Sequence, residues 1–557
     1  MYVTSNLVYI SLIFLNVNAD ILVNIPNGTI LGRQEYSQRG ITFYAFQQVP
    51  YAKPPIGNLR FQSPQPAERW EGILNATVNT KVCVIQGYIQ EPTLVESEDC
   101  LYLNIYTPRY PSQELSLPVI VYFHGGGFVV GDGTFNTKGP HYFMEHDVIL
   151  VTLNYRIGLL GFLSTEDAVI PGNYGLKDQQ HALKWVQENI KYFGGDPTKV
   201  TIFGQSAGAA AVTYQLMSQK SKGLFRGAIA LSGSILCPWG YQRNARKYAY
   251  QMARYLNSSF NEYTNSEAIR ELFLSVTFDQ LKMASFQIEA TEDQMIGGYL
   301  FSPVIEPEHE DAFITEYQYG AIENGHMSRV PLIIGICSEE RLWDIGSNLT
   351  VCKEKGEMYD NNITRFVHDD MHITDQNVRE VVGEAIRKVY VDGLIQDNPG
   401  KTIKYFSDNS FGRGIIQHAK LQSQFSDVYF YEFSYYGREL AGWRPYVEGA
   451  DRINHADDLA YLFVTKNNSN LDTMPPADIL SSVRYRTLLT NFAKTLNPTS
   501  EHQDILGISE WPTVNPDNFL YLNFNNTLTI QKDLKQDVHP ALVTIYEKYA
   551  IKPLDTF

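Results

Sequence analysis

A serine hydroxyl attacks a carbonyl only when a base takes its proton and donors hold the oxyanion that forms. Ser206 is placed for such work. It lies in Gly204-Gln205-Ser206-Ala207-Gly208, after the apolar residues 200–203 and before a run of small residues. Strand, tight turn and helix, in that order, is the context in which G-x-S-x-G presents a nucleophile. Side chains at 204 and 208 would collide with neighbouring backbone, so glycine there lets Ser206 stand clear with its hydroxyl exposed. The following helix aims its N-terminus, and its partial positive charge, at the place where the oxyanion would form.

The base should be a histidine held by a carboxylate, in the chain order serine, acid, histidine. Of 12 histidines, His455 stands out, in the polar loop Gly449-Ala450-Asp451-Arg452-Ile453-Asn454-His455-Ala456-Asp457-Asp458-Leu459. Glu340 lies in Ser338-Glu339-Glu340-Arg341, just past the apolar run 331–336. Both follow the carboxyl end of a strand, where open α/β sheets build their sites. Donors for the oxyanion are offered by His124-Gly125-Gly126-Gly127-Phe128, after the apolar run 117–123. Consecutive glycines leave the backbone bare, so the N–H groups of Gly126 and Gly127, with that of Ala207, would form a three-donor oxyanion hole.

These residues need a sheet to hold them. Residues 117–123 and 148–154 are continuous apolar runs, as expected of strands buried on both faces. Residues 101–106 alternate, and residues 41–46 suggest an early antiparallel strand. Residues 173–193 carry a helical stripe of Leu176, Leu183, Trp185, Val186 and Ile190, stopped by Gly194-Gly195-Asp196-Pro197. Later strands are expected at 227–231, 331–336 and 428–433. The fold class is therefore α/β, a large mostly parallel sheet flanked by helices. Helical insertions are expected in residues 240–330 and 340–425. No linker, repeat or low-complexity tract divides the chain, and Ser206, Glu340 and His455 must meet, so residues 20–557 are expected to form a single domain.

Residues 1–19 read as a secretory signal peptide: residues 7–17 are apolar, and Val17-Asn18-Ala19 resembles a cleavage site. The run is too short to span a bilayer comfortably, and no transmembrane segment follows. Seven Asn-x-Ser/Thr sequons, at Asn27, Asn75, Asn257, Asn348, Asn362, Asn467 and Asn525, fit an exported glycoprotein. The net charge of −16 argues against nucleic acid as a partner. Among five cysteines, Cys83 and Cys100 bracket one loop and are the best-placed disulfide pair. That closure would stabilise by roughly 3 kcal/mol in the loop-entropy model. Cys237, Cys337 and Cys352 allow at most one further bridge. No Cys/His spacing reads as a metal site.

With these blocks in hand, the chain resembles the type-B carboxylesterases, the cholinesterase-like α/β-hydrolases. It is most like the secreted insect carboxylesterases, the juvenile hormone esterase-like group among them. The likeness runs from Asn27 to Trp511-Pro512. It includes Arg60-Phe61, the block from Glu98 to Tyr106, His124 to Phe128, Asn154-Tyr155-Arg156, Gly175 to Gln179, Phe193 to Pro197, Gly204 to Gly208 and Ser232-Gly233-Ser234. It implies an α/β-hydrolase fold and a serine esterase acting on small-molecule esters without a cofactor or metal. The implied esters are xenobiotic, lipid-like, hormone or pheromone esters. Ser206 matches the nucleophile, Glu340 the acid, His455 the base, and Gly126, Gly127 and Ala207 the oxyanion donors. Ser232 matches a serine near the acid, and Cys83–Cys100 the family's first disulfide. Non-catalytic binding or adhesion proteins share this fold, but they usually lose the nucleophile or the histidine, and both are kept here. Three positions depart from the pattern. Arg341 stands where a glycine usually follows the acid, so it could strain the turn or compete with His455 for Glu340. The Cys83–Cys100 loop has no tryptophan, which disfavours choline esters. Gln205 stands where many relatives carry Glu, and juvenile hormone esterases share that glutamine.

Overall fold

The computed structural model describes residues 21–87, 91–288, 294–343, 348–437, 446–465, 473–500 and 504–557. The expected signal peptide and Asn467 lie outside them. Among the described residues, thirteen strands join one sheet. The path through it uses β1 (Ile21–Ile25), β2 (Gly28–Tyr36), β3 (Thr42–Pro50), β4 (Tyr102–Thr107), β5 (Leu117–Phe123), β6 (Ile149–Leu153), β7 (Gly195–Gln205), β8 (Gly227–Leu231), β9 (Leu332–Cys337), β10 (Val428–Phe433), β11 (Leu520–Phe524) and β12 (Leu528–Lys532). Their order is β1-β2-β3-β4-β6-β5-β7-β8-β9-β10-β11-β12, with Ile73–Asn75 beside β2. From β6 to β11 every neighbouring pair is parallel, and antiparallel strands flank this centre.

The central strands are apolar on both faces because each face has a core of its own. In β5, Val119, Val121 and Phe123 enter one core, while Ile120 and Tyr122 enter the other. In β8, Ala228 and Ala230 face the first, Ile229 and Leu231 the second. The first core is covered by α1 (Tyr174–Asn189) and α2 (Ala207–Met217). The second is covered by α4 (Pro476–Thr495), through Tyr485, Leu488, Leu489 and Phe492. This period of two with no polar face is why these strands read as continuous runs.

Register brings the strand ends to one edge. Phe123 of β5 pairs with Gly204 of β7, Gln205 with Leu231 of β8, and Cys337 of β9 with Phe433 of β10. The loops that open at His124, Ser206, Ser232, Ser338 and Ser434 therefore start side by side. The chain leaves β5 for β6 on one side, then returns to β7 on the other. The crevice at such a reversal is where α/β sheets bind ligands.

Several expected elements differ in extent. The strand before Ser206 starts at Gly195, with a register irregularity between Gly195 and Val200. The helix expected over 173–193 is α1 to Asn189, then a tighter turn Ile190–Phe193 closed by Gly194 at φ 91°. The hairpin β11–β12 has no apolar signal in its second strand, which is exposed beyond Leu528. The insertions are helical, with Asn265, Thr277, Asn348 and Asp375 capping helix N-termini through their side chains. Two family blocks acquire a physical reason. Arg60 forks onto Glu98 at 2.6 and 2.5 Å, and Arg156 onto Asp178 at 2.8 and 2.7 Å. The Arg156–Asp178 pair is buried and the Arg60–Glu98 pair largely so, and removing one partner would leave the other's charge uncompensated.

Candidate active site

Ser206 sits at φ 58°, ψ −126°, between β7 and α2. That backbone is unfavourable for a residue with a Cβ and persists only when the surroundings impose it. Its neighbours impose it. A Cβ at Gly204 would lie 2.2 Å from the Gly208 carbonyl oxygen, and one at Gly208 2.1 Å from that of Phe123. The turn is closed by the Ser206 N–H, which donates to the Leu231 carbonyl at 2.8 Å. Contrary to the expectation of an exposed hydroxyl, Ser206 is only 9% exposed. It lies at the strand-end edge, where Phe411 and Tyr299 of the insertions pack against His455 and Gly127.

Glu340 and His455 meet. His455 Nδ1 lies 2.6 Å from Glu340 Oε2, and Glu340 Oε1 accepts the Cys337 N–H at 2.8 Å. His455 Nε2 faces the Gln205 side-chain amide nitrogen at 3.2 Å. The two contacts fit one tautomer: Nδ1–H donates to the carboxylate, and Nε2 keeps a lone pair towards Gln205. No hydrogen bond from the Ser206 hydroxyl is present among the described residues. Loose nucleophile–base geometry is usual without substrate.

Gly126 and Gly127 have φ of 114° and 62°, conformations that favour glycine. A Cβ at Gly126 would strike the Val130 carbonyl oxygen at 2.2 Å, and one at Gly127 the Tyr299 ring at 2.7 Å. Both N–H groups are without a partner among the described residues. The Ala207 N–H is first in α2 and has no partner within the helix. His124 anchors the loop. Its ring stacks on Tyr155 with centroids 4.4 Å apart, and burial pushes it down to about 4, so it is neutral at pH 7.

Ser232 is buried, but its hydroxyl reaches Cys337 Sγ at 3.8 Å and touches the acid only through that residue. Arg341 neither strains the turn nor competes for Glu340. Its φ is not positive, its N–H donates to Ser407 Oγ, and its guanidinium donates to Ser410 Oγ at 2.9 Å beside the Phe406 ring. Cys83 and Cys100 form a disulfide, while Cys237, Cys337 and Cys352 are buried free thiols. Of the sequons, Asn75, Asn257, Asn348 and Asn362 are exposed; Asn27 and Asn525 are half-buried, and the Asn27 amide nitrogen donates to Ala67 O.

Three neighbours of the site carried no sequence signal. Phe411 packs on the His455 ring with centroids 4.5 Å apart, from a π-helical turn, Asp408–Gly412. Trp239 meets both Phe411 and Tyr299, so an aromatic wall stands beside the 125–127 glycine loop. Asp458 is fully buried, and burial, then the Glu340 charge, pushes it up to about 7. Neither the segment around Phe411 nor the polar pair Asp457-Asp458 gave a hint of these contacts.

This fold is shared with known proteins. Residues 19–540 match the carboxylesterase family. The chain belongs to that family. A juvenile hormone esterase of Tribolium castaneum is 34% identical, over 89% of this chain and 86% of the relative. Esterase FE4 of Myzus persicae is 33% identical over 88% and 87%. The crystal structure of juvenile hormone esterase from Manduca sexta, with OTFP covalently attached, superposes with a TM-score of 0.81 at 28% identity, covering 95% of this chain and all of that one. As a carboxylesterase, the chain has the α/β-hydrolase fold and is a carboxylic ester hydrolase. Among the described residues, no helix is long and apolar enough to cross a membrane.

Proposed function

We propose that this chain is a secreted serine carboxylesterase working through Ser206, His455 and Glu340. The observation that carries the reading is the 2.6 Å contact of His455 Nδ1 with Glu340, at the strand-end edge that also bears Ser206 and the unpartnered N–H groups of Gly126 and Gly127. On ester binding, the Ser206 hydroxyl takes the Nε2 position that Gln205 holds in the free enzyme. Ser206 Oγ attacks the carbonyl carbon while Nε2 accepts its proton, and Glu340 stabilises the imidazolium. The N–H groups of Gly126, Gly127 and Ala207 hold the oxyanion; each such donor is worth on the order of 3 kcal/mol of barrier. The imidazolium then protonates the leaving alcohol. Water, deprotonated by the same Nε2, attacks the acyl-serine and releases the acid.

Phe128, Trp239, Tyr299 and Phe411 crowd the crevice and favour an apolar acyl group. With the juvenile hormone esterase relatives, this supports a hydrophobic, lipid-like or hormone-type ester as substrate. The apolar residues 7–17, the Cys83–Cys100 bridge and the exposed sequons support export. Hydrolysis of nitrophenyl acetate at pH 7–8 tests the mechanism. Ser206→Ala and His455→Ala should each lower kcat on the order of 10⁵-fold, and Glu340→Gln roughly 10⁴-fold. An organophosphate should label wild type at Ser206. Undiminished turnover in folded Ser206→Ala would refute the assignment. Comparing kcat/KM for a terpenoid methyl ester and the aryl ester separates a narrow substrate from a broad one.

A further inference from the structure

Glu339, next to the proposed acid, is wholly buried, and its neighbourhood is ionic. Its Oε2 accepts the Asp451 N–H at 3.1 Å, and its own N–H donates to the Ile453 carbonyl at 2.8 Å. These two bonds lace the acid loop to the segment that carries His455. Its Oε1 is buried without a hydrogen-bond partner. Lys535, partly buried, lies 2.7 Å from Asp408 Oδ1, and its charge also acts on Glu339 and Glu432, with no direct ion pair to either among the described residues. Asp408 opens the π-helical turn that sets Phe411 on the imidazole. One lysine thus answers three carboxyl groups at the point where the acid loop, the histidine loop and the π-helical turn converge.

We infer that Glu339 is a positioning residue of the esterase: with Lys535 it forms an ionic clamp that fixes the spacing between Glu340 and His455. This rests on the esterase reading above. A carboxylate accepts an N–H more strongly than a protonated carboxyl does, so the clamp is tight when Glu339 is ionised. Burial pushes Glu339 up to about 7; Lys535 and the Ser407 hydroxyl oppose that shift, and Asp408 adds to it. The other charged or titratable groups around the clamp are Glu432 on β10, Asp451 at the head of the histidine loop, Tyr521 on β11 beside Glu432 and Lys535, and Glu340 and Arg341 on its own loop. The clamp tightens as pH rises through neutrality. Its contribution to kcat is present above about pH 7 and lost as the pH falls below.

The test measures kcat and KM from pH 5.5 to 9 for wild type, Glu339→Gln and Lys535→Met, with thermal melts of each. Glu339→Gln keeps an oxygen acceptor but cannot ionise. It should lower kcat above pH 7.5 by about tenfold, leave KM within about twofold, and shrink the rise in kcat through neutrality to the part that His455 needs as a base. Lys535→Met removes the balancing cation and should move that rise to higher pH. A merely structural role would lower Tm and leave the shape of both profiles as in wild type; that result overturns the inference. The downfield Nδ1–H proton resonance of His455 provides a readout independent of turnover. It should shift between pH 6 and 8 in wild type and lose that step in Glu339→Gln. Absence of turnover in folded wild type would count against the esterase reading, while an Nδ1–H step that persists in Glu339→Gln would count against the clamp.

Discussion

Arg341 carries the sharpest departure from the family pattern, and its surroundings decide what that departure costs. A glycine would be required there only if the backbone turned left-handed, and it does not. The guanidinium instead fills a buried site between Ser410 and Phe406. Arg341→Gly is therefore expected to leave kcat within about twofold of wild type. It should destabilise the fold by about 1–3 kcal/mol, because the Ser410 hydroxyl loses its cationic donor and the site is left underfilled. Steady-state kinetics and urea unfolding of the variant check both parts. A large rise in kcat would mean that Arg341 had been holding the acid back after all. Gln205 is the other departure with a visible consequence. Its amide meets His455 Nε2 where a carboxylate would place a second negative charge beside the imidazole.

At the scale of elements, the π-helical turn between Pro399–Ser407 and α3 (Arg413–Gln422) carries the most information. A π-turn inserts a residue into a helix and re-aims the side chains around it, and such turns concentrate at functional sites. Here it swings Phe411 onto the His455 ring while Asp408 stays with Lys535. The ring restricts the imidazole to the orientation that serves Glu340. Phe411→Ala should lower kcat about tenfold with the fold intact, as the imidazole samples unproductive rotamers. Circular-dichroism melts beside kinetics would separate this from unfolding, and an unchanged kcat would deny the ring any positioning role. The loops at the strand ends were foreseeable because apolar runs announced their strands. The turn was not: Asp408-Asn409-Ser410 and Gly412 weaken a helical pattern there, but these residue types do not tell a π-helical turn from a loop.

For the whole molecule, buried titratable groups set the response to pH. Burial pushes His146, His368, His418 and His539 down to about 3, so the fold keeps them neutral while the unfolded chain protonates them below about 6.5. Glu339 and Asp458, pushed up to about 7, act in the opposite sense: they hold protons in the fold that the unfolded chain has released above about 4.5. Burial also pushes His124 and His141 down to about 4, so near pH 5–6 the unfolded chain binds roughly three to four more protons than the fold. Stability therefore falls with acidification, at about 4–5 kcal/mol per pH unit. Tm should decline from pH 7 to pH 5 and more steeply below, where the two carboxyl groups no longer oppose the histidines. Calorimetry in non-coordinating buffers checks this, and a Tm that rises on acidification would contradict it.

The sequence by itself determined the local pieces. The runs at 117–123, 227–231 and 428–433 are strands to the residue, because burial on both faces demands unbroken apolar sequence. The glycines flanking Ser206 and those of the 125–127 loop were legible because only glycine tolerates such close backbone approach. Tertiary structure decided what meets what. The Gln205 contact, Phe411 over the imidazole, the turn of Arg341 away from Glu340 and the proposed Glu339–Lys535 clamp join residues up to 250 positions apart. Side-chain partners at such distance are chosen by packing and charge in three dimensions, and neither leaves a period in the sequence.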